Sequence, residues 1–256
     1  MSSKMKKSML SPESDLKQQE RFLAQVFPAL DSTEVDELHR ISLQVHYDEG
    51  ELIAQEGSYA SGVYVVQSGL VSIGKYSSKG WEKRVLRFLS VGEMFGLESV
   101  FLEREPINVQ FAKALLESTL LFFERSNILA FSKRHPMLFT DLCRWLAREV
   151  IMLEYKLTRE AVESIDHNLA LLLIALANKY GEREEEGTVL DLPISRQTLA
   201  EMLGISIETL MRALKRFRDR GMITTLQSRI TLVDMASLKE RARATPFYLS
   251  IIEETL

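Results

Sequence analysis

The chain has 256 residues, 46% of them apolar and 27% charged, and a net charge of −4. That is enough apolar material for one large or two modest cores, and the acidic balance excludes a protein that binds polyanions over its whole surface. The one cysteine, Cys143, excludes an intramolecular disulfide and a four-thiolate metal cage within a chain, and it fits a reducing compartment such as the cytoplasm.

Residues 1–19 are polar, with Lys4, Lys6 and Lys7, and read as a leader. They hold no apolar stretch of the kind a secretory signal needs. Arg21–Leu30 and Ser32–Ile41 read as short helices, the second capped by Asp31 or Ser32 with Glu34 in its first turn. From Leu43 to Glu124 the pattern changes to short β-branched and aromatic segments: LQVHY, ELIAQ, GVYVVQSG, LVSIGKYS, KRVLRFLS, NVQFAKAL and TLLFFE. Gly50, Gly57, Gly62, Gly69, Gly80 and Gly92 punctuate them. Many short, evenly spaced strands predict a sandwich or barrel.

Asn127–Lys133 reads as a short helix. Pro136 opens a longer one to about Glu163, with apolar residues Leu138, Leu142, Trp145, Leu146, Val150, Leu153 and Leu157 at mostly three- and four-residue steps. So long a helix with a narrow seam predicts packing against a second copy, and Leu142, Trp145, Leu146, Val150, Leu153 and Leu157 are the expected dimer interface. Cys143, on the same helix, reads as a small buried apolar side chain. Ser164 or Asp166 caps the next predicted helix, Asn168–Lys179. Its run LALLLIALA is too short to cross a bilayer, so no membrane association is expected. GEREEEG at Gly181–Gly187 reads as a solvated loop.

The most informative stretch is Pro193–Val233, PISRQTLAEMLGISIETLMRALKRFRDRGMITTLQSRITLV. Ser195 is suited to cap one helix, with Leu199, Met202 and Leu203 on its apolar face, and Gly204 ends it. Ser206 caps a second, with Leu210, Ala213, Leu214 and Phe217 as its apolar stripe. Two helices joined by a Gly-containing turn form a helix-turn-helix, and Ile223–Val233 follows where a wing belongs. Glu208 and Arg212, four residues apart, share the face opposite the stripe. Arg is suited to guanine O6/N7, and a carboxylate to cytosine N4. Lys215, Arg216, Arg218 and Arg220 are suited to phosphates. From Asp191 to Thr245 there are ten Lys/Arg against six Asp/Glu, a basic segment in an acidic chain. Met235–Ala244 reads as a further helix, broken by Pro246.

The order of β-barrel, long helix and winged helix-turn-helix resembles the CRP/FNR family of bacterial transcription regulators. The resemblance rests on EGSYASGVYVVQSGLVSI, on VGEMFG at Val91–Gly96, and on ISRQTLAEMLGISIETLMRALKRF. It implies an α+β chain with a double-stranded β-helix (jelly-roll) sensor domain at residues 20–135. A dimerisation helix at 136–164, a winged helix-turn-helix at 165–235 and a C-terminal extension at 236–256 follow. It also implies a homodimer that binds double-stranded DNA at an inverted repeat with a TGA-type half-site core, works with RNA polymerase, and is not an enzyme.

By the same resemblance Ile207, Glu208, Met211 and Arg212 read bases. Ser195, Arg196, Gln197, Ser206, Lys215, Arg216 and Arg229 meet phosphates. The expected effector pocket comprises Gly92, Glu93, Met94, Phe95, Asn108, Val109, Leu153 and Glu154. Cyclic-AMP-binding members hold the phosphate at a helix start, with an Arg-Ser pair. The matching positions here are Asn108 and Val109, and the adenine-contacting Thr-Ser positions are Leu153 and Glu154, which disfavours cyclic AMP. An iron–sulfur cluster needs more cysteines than one. No cofactor is predicted. Haem stays open, with Met94, Phe95, Leu97, Val109 and Leu153 as an apolar lining and His46 as the first axial candidate among His39, His46, His135 and His167. A barrel-type metal enzyme is disfavoured, because the strand region carries no histidine besides His46. An effector-independent DNA-binding regulator is the other alternative.

Overall fold

The computed structural model describes residues 12–76, 83–102, 106–160, 165–191, 195–226 and 229–242. The chain divides into two compact units, residues 1–75 with 88–149, and residues 76–87 with 150–256. It is mixed helix and sheet, in the order expected.

The first unit opens with α1 (Pro12–Val26), which begins inside the stretch read as a leader and ends four residues before Leu30. α2 (Ser32–Arg40) follows. Asp31 caps it as expected: its carboxylate accepts from Glu34 N–H at 2.9 Å and the Glu34 carboxylate accepts from Asp31 N–H at 2.9 Å, a reciprocal capping box. The strands that follow, up to Glu124, are β1 (Ser42–Tyr47), β2 (Leu52–Ala54), β3 (Gly62–Ser68), β4 (Val71–Tyr76), β5 (Lys83–Leu89, of which 83–87 group with the second unit), β6 (Met94–Phe95), β7 (Phe111–Ala114) and β8 (Ser118–Glu124). They form two four-stranded sheets, ordered β1-β8-β3-β6 and β2-β7-β4-β5. Side-chain alternation divides the core. From β8, Leu120 enters the space between the sheets with Val66, Val71, Ile73, Phe95 and Ala112. Leu121 and Phe123 leave by the other face, where Leu23, Phe27, Leu38, Ile128 and Phe131 cover them.

Helix α3 (Leu97–Phe101) follows β6, and α4 (Arg125–Arg134) follows β8. α5 (Leu138–Glu160) is the long helix. Its Asp141 is buried and accepts from the backbone N–H of Ala29 and from Arg144, fastening the helix start to the α1–α2 connection. Leu138 and Leu142 belong to the core under α1 and α2, and Trp145 packs against it.

In the second unit α6 (Ile165–Tyr180) is the apolar helix, with Leu169–Leu171 and Leu173–Ala177 buried. β9 (Glu182–Glu184), β10 (Gly187–Leu190), α7 (Arg196–Leu203), α8 (Ile207–Asp219), β11 (Ile223–Leu226), β12 (Arg229–Leu232) and α9 (Met235–Ala242) complete it. The four strands form one antiparallel sheet, β11-β12-β10-β9. Residues 181–187 are therefore not the loop that their charge suggested. Glu182–Glu184 pair with β10 as an exposed edge strand, where solvated charges are well placed to block further pairing. Backbone pairing with β10, which is near in sequence and adjacent in the sheet, overrides the low strand propensity of Glu.

Candidate nucleic-acid interface

Both helices of the helix-turn-helix start as the sequence predicted. Ser195 Oγ accepts from Thr198 N–H at 3.0 Å, and Ser206 Oγ from Thr209 N–H at 3.2 Å. Gly204 joins them at φ +65°, the left-handed conformation that a β-carbon disfavours. Leu210, Ala213, Leu214 and Phe217 bury one face of α8. The face opposite carries Glu208, Arg212 and Lys215, all exposed, with Ile207 and Met211 exposed at its edge. Arg212 Nη2 lies 3.4 Å from Thr209 Oγ1 and is otherwise turned to solvent.

The expected phosphate contacts fall into two groups. Lys215 is exposed, and Gln197 donates to Glu201 at 3.1 Å along the surface of α7. Burial lowers the Arg196 pKa from its ordinary value. Arg229 donates to Asp191 at 2.9 Å, a bond that raises its pKa. Arg216 departs most from expectation. Its Nε donates to Asp166 Oδ1 and Oδ2 at 3.1 and 3.2 Å and its Nη2 to Oδ1. Arg241 of α9 reaches the same carboxylate at 3.4 Å and Arg220 lies 3.9 Å from it. Asp166 was expected as a helix cap; it lies inside α6 and bonds to α8 and α9 instead. Burial raises its pKa, but the bond and charge of Arg216, then Arg241 and Arg220, outweigh that and hold it below the ordinary carboxylate value. Arg216 and Asp166 are 50 residues apart in the chain, so no local pattern marks the pair.

The residues assigned to an effector pocket fall in both units, Gly92, Glu93, Met94, Phe95, Asn108 and Val109 in the first and Leu153 and Glu154 in the second. Gly92 and Glu93 precede β6, and the helix that follows starts after Gly96, so they do not stand at a helix N-terminus. Gly96 takes φ +93°, and a β-carbon there would lie 2.5 Å from the Gly62 carbonyl oxygen, so the turn admits only glycine. Glu93 is buried, and its carboxylate accepts from Ser90 N–H and Oγ, each at 2.6 Å. Asn108 donates to Ser58 Oγ and to the Tyr59 carbonyl. Val109 is exposed, and Leu153 and Glu154 are exposed on the part of α5 that belongs to the second unit.

The apolar lining considered for haem is divided by the pleat. Met94 and Leu97 lie in the core under α1 and α2, while Phe95 lies between the sheets. Phe95 stacks on Tyr64 at 4.8 Å between ring centroids, and Phe122 lies against Tyr64 at the same distance with its ring tilted by 39°. These rings form a directly paired row across β6, β3 and β8. The histidines are spread widely. His39 pairs with Gln19, His46 with Thr119, and His135 with Glu34 and Glu37, while His167 is buried in α6. Cys143 is exposed, against expectation. Leu142 and Trp145 face the first unit's own core, whereas Phe139, Leu146, Val150 and Leu153 are exposed. Leu157 is in the helix but its side chain lies outside the described residues, as do residues 161–164 and the chain after Ala242.

Residues 168–241 match the Crp-like helix-turn-helix domain and residues 44–135 match the cyclic nucleotide-binding domain, together more than half of the chain. The chain belongs to the CRP/FNR family. CRP/FNR regulators bind DNA through the helix-turn-helix and act as dimers, and this protein is a DNA-binding transcription regulator of that type. It is 24% identical over 220 residues to the CRP-like cAMP-activated global transcriptional regulator of Mycobacterium tuberculosis, covering 86% of this chain and 97% of that one. It is 25% identical to the anaerobic regulatory protein of Bacillus subtilis, covering 75% of this chain and 79% of that protein. The structure of FixK2 from Bradyrhizobium japonicum shares the fold, with a TM-score of 0.68 at 22% identity, over 80% of this chain and 99% of that one. No helix among the described residues is long and apolar enough to cross a membrane.

Proposed function

We propose that this CRP/FNR regulator reads, as a homodimer, an inverted repeat with a TGA-type core in each half-site, under control of an effector other than cyclic AMP. The observation that carries the reading is the solvent-facing surface of α8, where Glu208 and Arg212 stand side by side, opposite the buried stripe. Arg212 takes the guanine and Glu208 the cytosine of the opposite strand. Ile207 and Met211 face the outer bases, where Ile207 is suited to a thymine methyl. A two-fold repeat in the DNA calls for a two-fold protein. The exposed apolar residues Phe139, Leu146, Val150 and Leu153 support α5 as the element that supplies the axis. The effector would bias the separation of the two recognition helices. RNA polymerase is the further proposed partner, the cytoplasm the proposed location, and no catalytic role is proposed.

Selection of bound duplexes from a random pool tests this reading. The expected product is a palindrome with TGA-type half-sites, and a recovered set lacking any repeated half-site overturns it. A second reading, regulation by abundance with no effector, is favoured by one observation. The side chains expected to meet an effector's polar groups, Glu93 and Asn108, already bond within the chain. Tight binding of the selected duplex by purified, ligand-free protein supports it, and a strict requirement for an added metabolite rejects it.

A further inference from the structure

At 100° per residue, α8 has three surfaces. Leu210, Ala213, Leu214 and Phe217 are buried, and Glu208, Arg212 and Lys215 face away from them. Arg216 and Arg220 lie on the flank between these two, and that flank is where Asp166 stands. The Asp166 side chain is 11% exposed, against 43% for Arg216 and 46% for Arg220, so the carboxylate is the enclosed partner and the guanidinium groups fold onto it. Both of its oxygens are occupied, from α8 and from α9. A pair with one enclosed member is screened by salt less than exposed pairs are. A guanidinium cancelled by a carboxylate also displaces few counterions from DNA.

We propose that Asp166 is a positioning residue for base reading. It holds Arg216 off the DNA backbone and anchors the flank of α8, so that the helix presents Glu208 and Arg212 in one orientation. The protein forgoes one sequence-independent phosphate contact and gains selectivity. This rests on the DNA-reading role of α8 stated above.

The test titrates the full-length protein, by fluorescence anisotropy, with a mixed-sequence duplex and with the duplex recovered by selection, over a range of salt concentrations. Asp166→Asn frees Arg216. The expected result is a slope of log K against log[salt] steeper by about one, a several-fold gain on the mixed-sequence duplex, and a reduced ratio of specific to non-specific affinity. Asp166→Glu restores both slope and ratio. Combining Asp166→Asn with Arg216→Gln returns the slope to the wild-type value but not the selectivity. A slope unchanged or shallower in Asp166→Asn, or an unaltered selectivity ratio, overturns the inference. Should Asp166→Asn fail to fold, Arg216→Gln alone decides. A retained slope with reduced selectivity supports the role, and a slope shallower by about one overturns it by placing Arg216 on a phosphate. Failure of the wild-type protein to bind either duplex is a different outcome: it removes the DNA-reading role itself, and the positioning role with it.

Discussion

Single residues divide here by what their charge is committed to. Arg212 is exposed and keeps its guanidinium for a partner outside the chain: among the described residues its polar contact is a hydroxyl at 3.4 Å. Arg212→Ala is therefore expected to weaken specific binding by about 1–3 kcal/mol and to relax the preference at the core guanine. A gel shift against duplexes varied at that base pair measures both, and full affinity with full selectivity would reject the assignment. Arg216, four residues on, is committed to Asp166. The folded carboxylate titrates below its unfolded value of about 3.9. Its contribution to stability is thus present above that pH and is lost as pH falls through the lower, folded value. Asp166→Asn removes the contribution, at about 1–3 kcal/mol near neutrality once the exposure of the three arginines is allowed for. Melting temperature measured against pH should then fall less steeply below about pH 4 in the variant than in the wild type. Parallel acid limbs would show that Asp166 supplies none of this.

At the scale of an element, α5 carries two apolar stripes rather than one seam. Leu138, Leu142 and Trp145 cover the first unit's core, and Leu146, Val150 and Leu153, at 48, 52 and 52% exposure, remain for another surface. The sequence pattern merges the two because Trp145 and Leu146 are adjacent, and three- and four-residue steps are compatible with either stripe. On the proposed homodimer, Leu146→Glu with Val150→Glu places like charges against their copies across the two-fold axis. The expected outcome is a monomer in sedimentation and a loss of operator binding. A variant that stays dimeric would move the axis elsewhere. The edge strand β9 shows the same limit differently: GEREEEG has the composition of a solvated loop, yet its Glu182–Glu184 take the backbone of a strand, because an edge position tolerates charge on both faces.

For the whole molecule, the cyclic nucleotide-binding domain and the Crp-like helix-turn-helix establish the family, and a fold by itself does not fix the ligand. A calorimetric titration with cyclic AMP is expected to show no saturable binding in the micromolar range. The reason is that Val109 has no donor and Asn108 no charge, and the Asn108 amide is held by Ser58 and Tyr59; saturable heats would overturn this. The sequence by itself determined the elements whose cause is local. Asp31, Ser195 and Ser206 cap helices through bonds three residues away, Gly204 turns the chain, and the stripe of α8 repeats at helical spacing. Local causes leave local patterns, and enough of them were present to reveal the family. Tertiary structure alone decided which face of α5 is covered, that Met94 and Phe95 enter different cores, that Glu93 turns inward, and that Arg216 belongs to Asp166. Those outcomes depend on pairings such as the 50-residue separation of Asp166 and Arg216, whose energy arises only when the fold brings the partners together.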